Sequence, residues 1–142
     1  MVVILATDPP PGPVALAYQT LDEGNQSGID ADGTTTRVLN DTTSWTAFWD
    51  AHKANQFPPP QRPSVDFATH FVVAVLNGPH PTSDFTMEVL QVRWDDISYT
   101  VYHRLTPPCE GCATLQVVTT PFHVVLVPRM GDGEPAVSFV AV

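Results

Sequence analysis

The chain has 142 residues, 43% of them hydrophobic, enough to bury the core of one domain and too apolar for a disordered segment. Fifteen acids against six bases give a net charge of −9, which argues against nucleic acid and against an anionic membrane surface, since both need clustered Lys and Arg. The 15 prolines are about twice average usage and disfavour helix interiors and central strands, so turns and sheet edges should be many.

Residues 1–13 read as a flexible tail, because "DPPPGP" suits neither helix nor ladder. "MVVILA" is too short for the apolar core of an export signal and has no basic residues ahead of it. No stretch approaches the roughly 18 apolar residues of a membrane span. From residue 14 onward the chain reads as a single β-rich domain, 14–142.

"VALAYQT" (14–20) alternates weakly and is a candidate first strand. "LDEGNQSGIDADG" (21–33) is acidic and rich in turn formers, hence a loop. Its "DADG" has two acids of a calcium loop but lacks the other ligands, so it reads as a turn. "TTTRVLN" (34–40) is strand-like.

One helix is expected, over about 43–55. Trp45, Phe48, Trp49 and His52 fall at i, i+3, i+4 and i+7, a single face suited to packing against a sheet. Asp41, Thr42, Thr43 or Ser44 can cap its start, His52 and Lys53 suit the negative end of its dipole, and "FPPPQRP" ends it. His52 reads as a hydrogen-bonded or capping residue more readily than as a ligand.

"HFVVAVL" (70–76) is apolar on both faces, as a central strand buried on both sides would be. A loop (78–84) leads to "FTMEVLQVRW" and "ISYTVYHRL", with Asp95–Asp96 as a two-residue hairpin turn between them. Phe85, Met87 and Val89 share one face but Leu90, Val92 and Trp94 the other, so either a bulge switches the faces or both are covered. "TLQVVTT" and "FHVVLVPR" read as two strands, or one bent at Pro121, and "AVSFVAV" as the last. The sum is seven or eight short strands and one helix: a mainly β, mainly antiparallel sandwich or open barrel with the helix across one face or end.

Cys109 and Cys112 are the only cysteines, spaced C-x-x-C in "PPCEGC". A thioredoxin-type redox pair needs a helix N-terminus to stabilise a thiolate, and a Pro-Gly turn followed by a β-branched run offers none. A zinc site would have to recruit His103 and His123 in an H-x5-C-x2-C-x10-H order that matches no familiar finger. A disulfide pinching the turn fits best, with a pair of idle thiols as the remaining reading. No nucleophile elbow, zincin helix or phosphate loop occurs, so no catalytic residue, metal site or cofactor is assigned.

The helix "SWTAFWDAH", the segment "PSVDFATHFVVAVLNGPHPT" and the stretch "PPCEGCATLQVVTTPFHVVLVPR", in this order, resemble the C-terminal domain of the PrcB family over roughly residues 35–130. The resemblance implies a non-catalytic accessory protein, secreted or envelope-associated, that stabilises a partner such as a subtilisin-like protease and needs no cofactor. It also implies a loop of the form G-x-x-P-T-G-G-Y after the V-V-A-V strand. Here Gly78, Pro81, Thr82 and Phe85 match, but Ser83 and Asp84 replace the paired glycines. His80, Pro81, Thr82 and Phe85 are the expected protein-binding residues. A loop-presenting protease inhibitor, and a thiol or zinc protein centred on Cys109 and Cys112, are the alternatives.

Overall fold

A computed structural model describes residues 14–142; the tail expected over 1–13 lies outside the described residues. In chain order the elements are β1 (Val14–Leu16), β2 (Gln19–Gly24), β3 (Gly33–Leu39), α1 (Thr42–His52), β4 (His70–Gly78), β5 (Thr86–Trp94), β6 (Tyr99–Thr106), β7 (Phe122–Pro128) and β8 (Val137–Ala141). They form two four-stranded sheets, β1-β5-β6-β8 and β2-β7-β4-β3, and neither closes into a barrel. All pairings are antiparallel except β6 with β8.

The all-apolar β4 organises the layers. Phe71, Val73 and Val75 point toward the other sheet and meet Met87, Val89, Val92, Tyr99 and Val101 there. Val72, Ala74 and Leu76 point the opposite way, under Trp45, Phe48 and Trp49 of α1. Each of the larger buried side chains contributes about 1.5–3 kcal/mol of transfer free energy. The sheet β2-β7-β4-β3 is thus the middle layer, which is why β4 reads as apolar on both faces.

The helix is close to its expected span and buries the expected face: Trp45, Phe48, Trp49 and His52. Asp41 is the cap, its Oδ1 accepting from the Ser44 N–H at 2.7 Å. That hydrogen bond holds the Asp41 carboxyl below its ordinary range. The indole N–H groups of Trp45 and Trp49 donate to the carbonyls of Pro63 (2.9 Å) and Pro60 (3.1 Å), so the proline-rich exit is tied back onto the helix.

Three local expectations are corrected and one alternative left open is decided. Leu21–Gly24 is part of β2, because its backbone pairs with β7 along a sheet edge where polar side chains can face water. The turn between β5 and β6 takes four residues, 95–98, since the Asp95 carboxylate accepts from the N–H groups of Ile97 (3.0 Å) and Ser98 (2.7 Å) and Asp96 sits at φ 74°. Residues 114–118 form no strand; only Thr119 and Thr120 make isolated bridges, to His80 and Gln26. The faces of β5 do switch, through a bulge between Val89 and Gln91 that lets Met87, Val89 and Val92 all enter the core.

Candidate interaction face

The loop of residues 78–85 is held on a stretch that passes beside it at 115–120. His80 exchanges both backbone hydrogen bonds with Thr119, at 2.7 and 2.9 Å. Thr119 Oγ1 donates to the Thr82 carbonyl at 2.8 Å, and the Ser83 N–H donates to the Leu115 carbonyl at 3.0 Å while Ser83 Oγ accepts from Leu115 at 2.9 Å. Side chains complete the frame. The His80 ring stacks on Phe85 with centroids 3.9 Å apart, and its Nε2 lies 2.5 Å from Asn77 Oδ1.

Loop conformation follows from the residues available. Gly78 adopts φ 135°, and a Cβ there would stand 2.9 Å from the Thr119 carbonyl oxygen. Asp84 takes the left-handed φ of 72° that a glycine would otherwise supply; Asp tolerates this conformation better than most residues. Ser83, at the other replaced position, is buried and makes the cross-loop hydrogen bonds just described.

Of the expected contact residues, Pro81 is exposed and His80, Thr82 and Phe85 are half-buried; His80 and Thr82 bond Thr119 directly, and Phe85 reaches the site by stacking on His80. The facing stretch adds three apolar side chains open to solvent: Leu115 (68% exposed), Val117 (42%) and Val118 (66%). Sequence reasoning placed these in a strand, where at least one face would be covered. Their remaining signal was proline at both ends of the segment, Pro107–Pro108 and Pro121, which limits ladder formation. Beside this face lies a groove of about 320 Å³ with Glu23, Gly24 and Asn25 on one wall, Asp84 through Met87 on the other, and Phe122 between.

Cys109 and Cys112 are paired, with Cα atoms 5.4 Å apart, at the exposed base of the same stretch. The Cys112 N–H donates to the Cys109 carbonyl at 3.1 Å, and Gly111 at φ 78° supplies the positive φ of such a turn. His103 and His123 lie on β6 and β7, and no group of three metal-ligating side chains occurs among the described residues.

A second cluster went unseen in the sequence. Buried His52 accepts at Nδ1 from the Ser27 hydroxyl (2.7 Å) and donates from Nε2 to Asp22 Oδ2 (2.9 Å); Lys53 Nζ lies 2.7 Å from the same oxygen. Burial disfavours the Asp22 carboxylate, but hydrogen bonds and charge from His52 and Lys53 outweigh it and lower its pKa. Hydroxyl, imidazole and carboxylate are in the order a nucleophilic triad uses. Here Ser27 is 7% exposed and its oxygen already accepts from the Ile29 N–H at 3.2 Å. The array joins β2, the loop after it and the end of α1, where Gly28 passes so close that a Cβ would stand 2.6 Å from the Ala51 carbonyl. These partners are far apart in sequence, and only the fold assembles them.

No helix among the described residues is long and apolar enough to cross a membrane. Residues 71–128, from β4 through β7, match the model of the family described as PrcB C-terminal. The matched segment contains the 78–85 loop, the cysteine pair and the exposed apolar stretch. No curated protein and no solved structure matches the chain.

Proposed function

We propose that this chain is a non-catalytic protein-interaction module that works outside the cytoplasm, binding and stabilising a secreted protease of the subtilisin-like kind. The observation that carries the reading is the PrcB C-terminal match over the segment that builds the face. Three neighbouring exposed apolar side chains, Leu115, Val117 and Val118, on a hydrogen-bonded frame support it, because apolar groups grouped on a rigid surface mark contact sites. The cysteine pair suits an oxidising, extracytoplasmic setting.

The test is co-purification of the chain with a subtilisin-like protease encoded beside it, followed by the protease's active lifetime with and without the chain. A complex with a lengthened lifetime and unchanged peptide turnover supports an accessory subunit. Turnover suppressed in proportion to bound chain would instead indicate an inhibitor. No complex and no change in lifetime would refute the proposal.

A further inference from the structure

The imidazole of His123 joins the two sheets at their irregularities. His123 lies on β7, yet its Nδ1 accepts from the backbone N–H of Val89 on β5 at 2.8 Å, immediately before the β5 bulge. Its Nε2 lies 2.8 Å from Thr20 Oγ1, at the register shift of β2 between Thr20 and Asp22. Because Nδ1 is the acceptor, the neutral ring carries its proton on Nε2 and donates it to Thr20. The Val89 carbonyl is also taken by a side chain, the Tyr18 hydroxyl at 2.8 Å. Both backbone groups of Val89 are therefore satisfied by side chains, the N–H by His123 of the opposite sheet and the carbonyl by Tyr18 of the connection between β1 and β2.

The need for this arrangement lies in the strand lengths. β1 covers the outer edge of β5 only at Val92–Trp94. Among the described residues the edge ahead of that point has no strand partner, and at Val89 the side chains of His123 and Tyr18 cap it. The same ring spans from β5 to β2, the two strands whose ends form the walls of the groove beside the interaction face.

The geometry points to His123 as an acid-sensitive latch: neutral, it fastens β5 to β2; protonated on Nδ1, it presents an N–H to the Val89 N–H and releases that edge. The proton comes from solvent, and no other bond changes. Several ionisable groups surround the ring. Glu23 on β2 has its Oε2 3.9 Å from Nε2, and Glu88 on β5 is paired at 3.4 Å with Arg104 of β6. His103 on β6 is opposite Val89, the Tyr18 hydroxyl is on the Val89 carbonyl, and β4 contributes Val75, which does not titrate. Glu23 gives the released imidazolium a counter-charge, so the open state is a defined arrangement rather than an unpaired buried cation.

The direction of the pH effect follows from burial, which lowers the pKa of His123 against the opposing pull of Glu23 and Glu88. The unfolded chain then takes up the proton first. The latch is intact above the ordinary histidine range, about 6.5, and is lost as pH falls through the lower folded value.

Amide hydrogen exchange of the full chain, expressed as protection relative to an unstructured amide, tests this between about pH 7.5 and about pH 5. Protection of the Val89 amide should fall about tenfold, the size of one buried hydrogen bond, while that of Val125 in the middle sheet holds. His123→Asn retains an acceptor near the Nδ1 position without titrating and should abolish the pH response, whereas His103→Asn should keep it. A Val89 amide indifferent to pH, a parallel fall at Val125, a response surviving in His123→Asn, or one lost in His103→Asn would each overturn the latch. Should His123→Asn fail to fold, the wild-type ring nitrogens decide by NMR. Nδ1 protonation in step with Val89 release supports the proposal, and a ring still neutral when Val89 loosens overturns it.

Discussion

The ammonium of Lys53, the only lysine in the chain, lies 2.7 Å from the carboxylate of Asp22, with the Trp49 and Phe122 rings 5.2 and 5.3 Å away. The lysine side chain is 8% exposed, so its charge is tied to this one partner and to aromatic faces. Asp22→Ala leaves Lys53 and His52 without their acceptor and should cost about 2–3 kcal/mol, less than a fully buried pair because Asp22 keeps some solvent. Lys53→Met preserves the apolar stem and leaves Asp22 bound to His52, so about 1 kcal/mol is expected. Urea unfolding of the two variants measures both values.

The same pair sets part of the acid limb of stability. The Asp22 carboxyl has a lowered folded pKa, so the unfolded chain binds the proton first as pH drops. Its contribution is complete above the ordinary carboxylate range, about 4, and disappears as pH falls through the folded value. The wild type should lose stability in that window, and Asp22→Ala should lose less there. Equal losses in the two proteins would show that other carboxylates dominate.

Two glycines with positive φ should respond differently to alanine. Gly33 (φ 96°) has open space where a Cβ would go, so Gly33→Ala carries only the backbone penalty, about 1 kcal/mol. Gly78 (φ 135°) has the Thr119 carbonyl 2.9 Å from that position, so Gly78→Ala must also displace the 115–120 stretch and should cost about 2–4 kcal/mol. Thermal unfolding of both variants ranks them; equal costs would mean the stretch yields freely.

The disulfide closes a very short loop, so the unfolded chain loses little freedom from it. Replacing Cys109 and Cys112 together with serine should cost about 2 kcal/mol or less and leave the sheets intact. The intact mass of the wild type should rise by two hydrogens on reduction. Circular dichroism should stay unchanged, while exchange of the amides at 109–115 accelerates.

Exposed apolar groups on the interaction face contribute little to folding. Leu115→Asp with Val118→Asp should change stability by less than about 0.5 kcal/mol per site. If the proposed protease complex forms through this face, the double variant should weaken it by about tenfold or more. Undiminished binding measured by calorimetry would place the contact elsewhere.

Much was legible along the chain because the periodicity of an element is a local property. The Trp45–His52 stripe, the two-faced apolar β4 and the broken alternation of β5 each declared burial before any partner was known. The C-E-G-C spacing favoured a disulfide but left idle thiols open, and the pairing in the folded turn decides between them. The site was less legible. Asp22 fell in a stretch that read as loop, and His123 was one polar letter in the apolar run "FHVVLV".

What the sequence by itself determined is a β-rich chain with one aromatic helix and two cysteines in a tight turn, since side-chain alternation and turn chemistry act over a few residues. Tertiary structure alone decided which strands became edges, that the last pair runs parallel, and that Ser27, His52 and Asp22 meet while His123 reaches Val89. Hydrogen bonds between residues 25, 30 and 34 positions apart depend on how sheets stack and where bulges fall, and no local pattern encodes that.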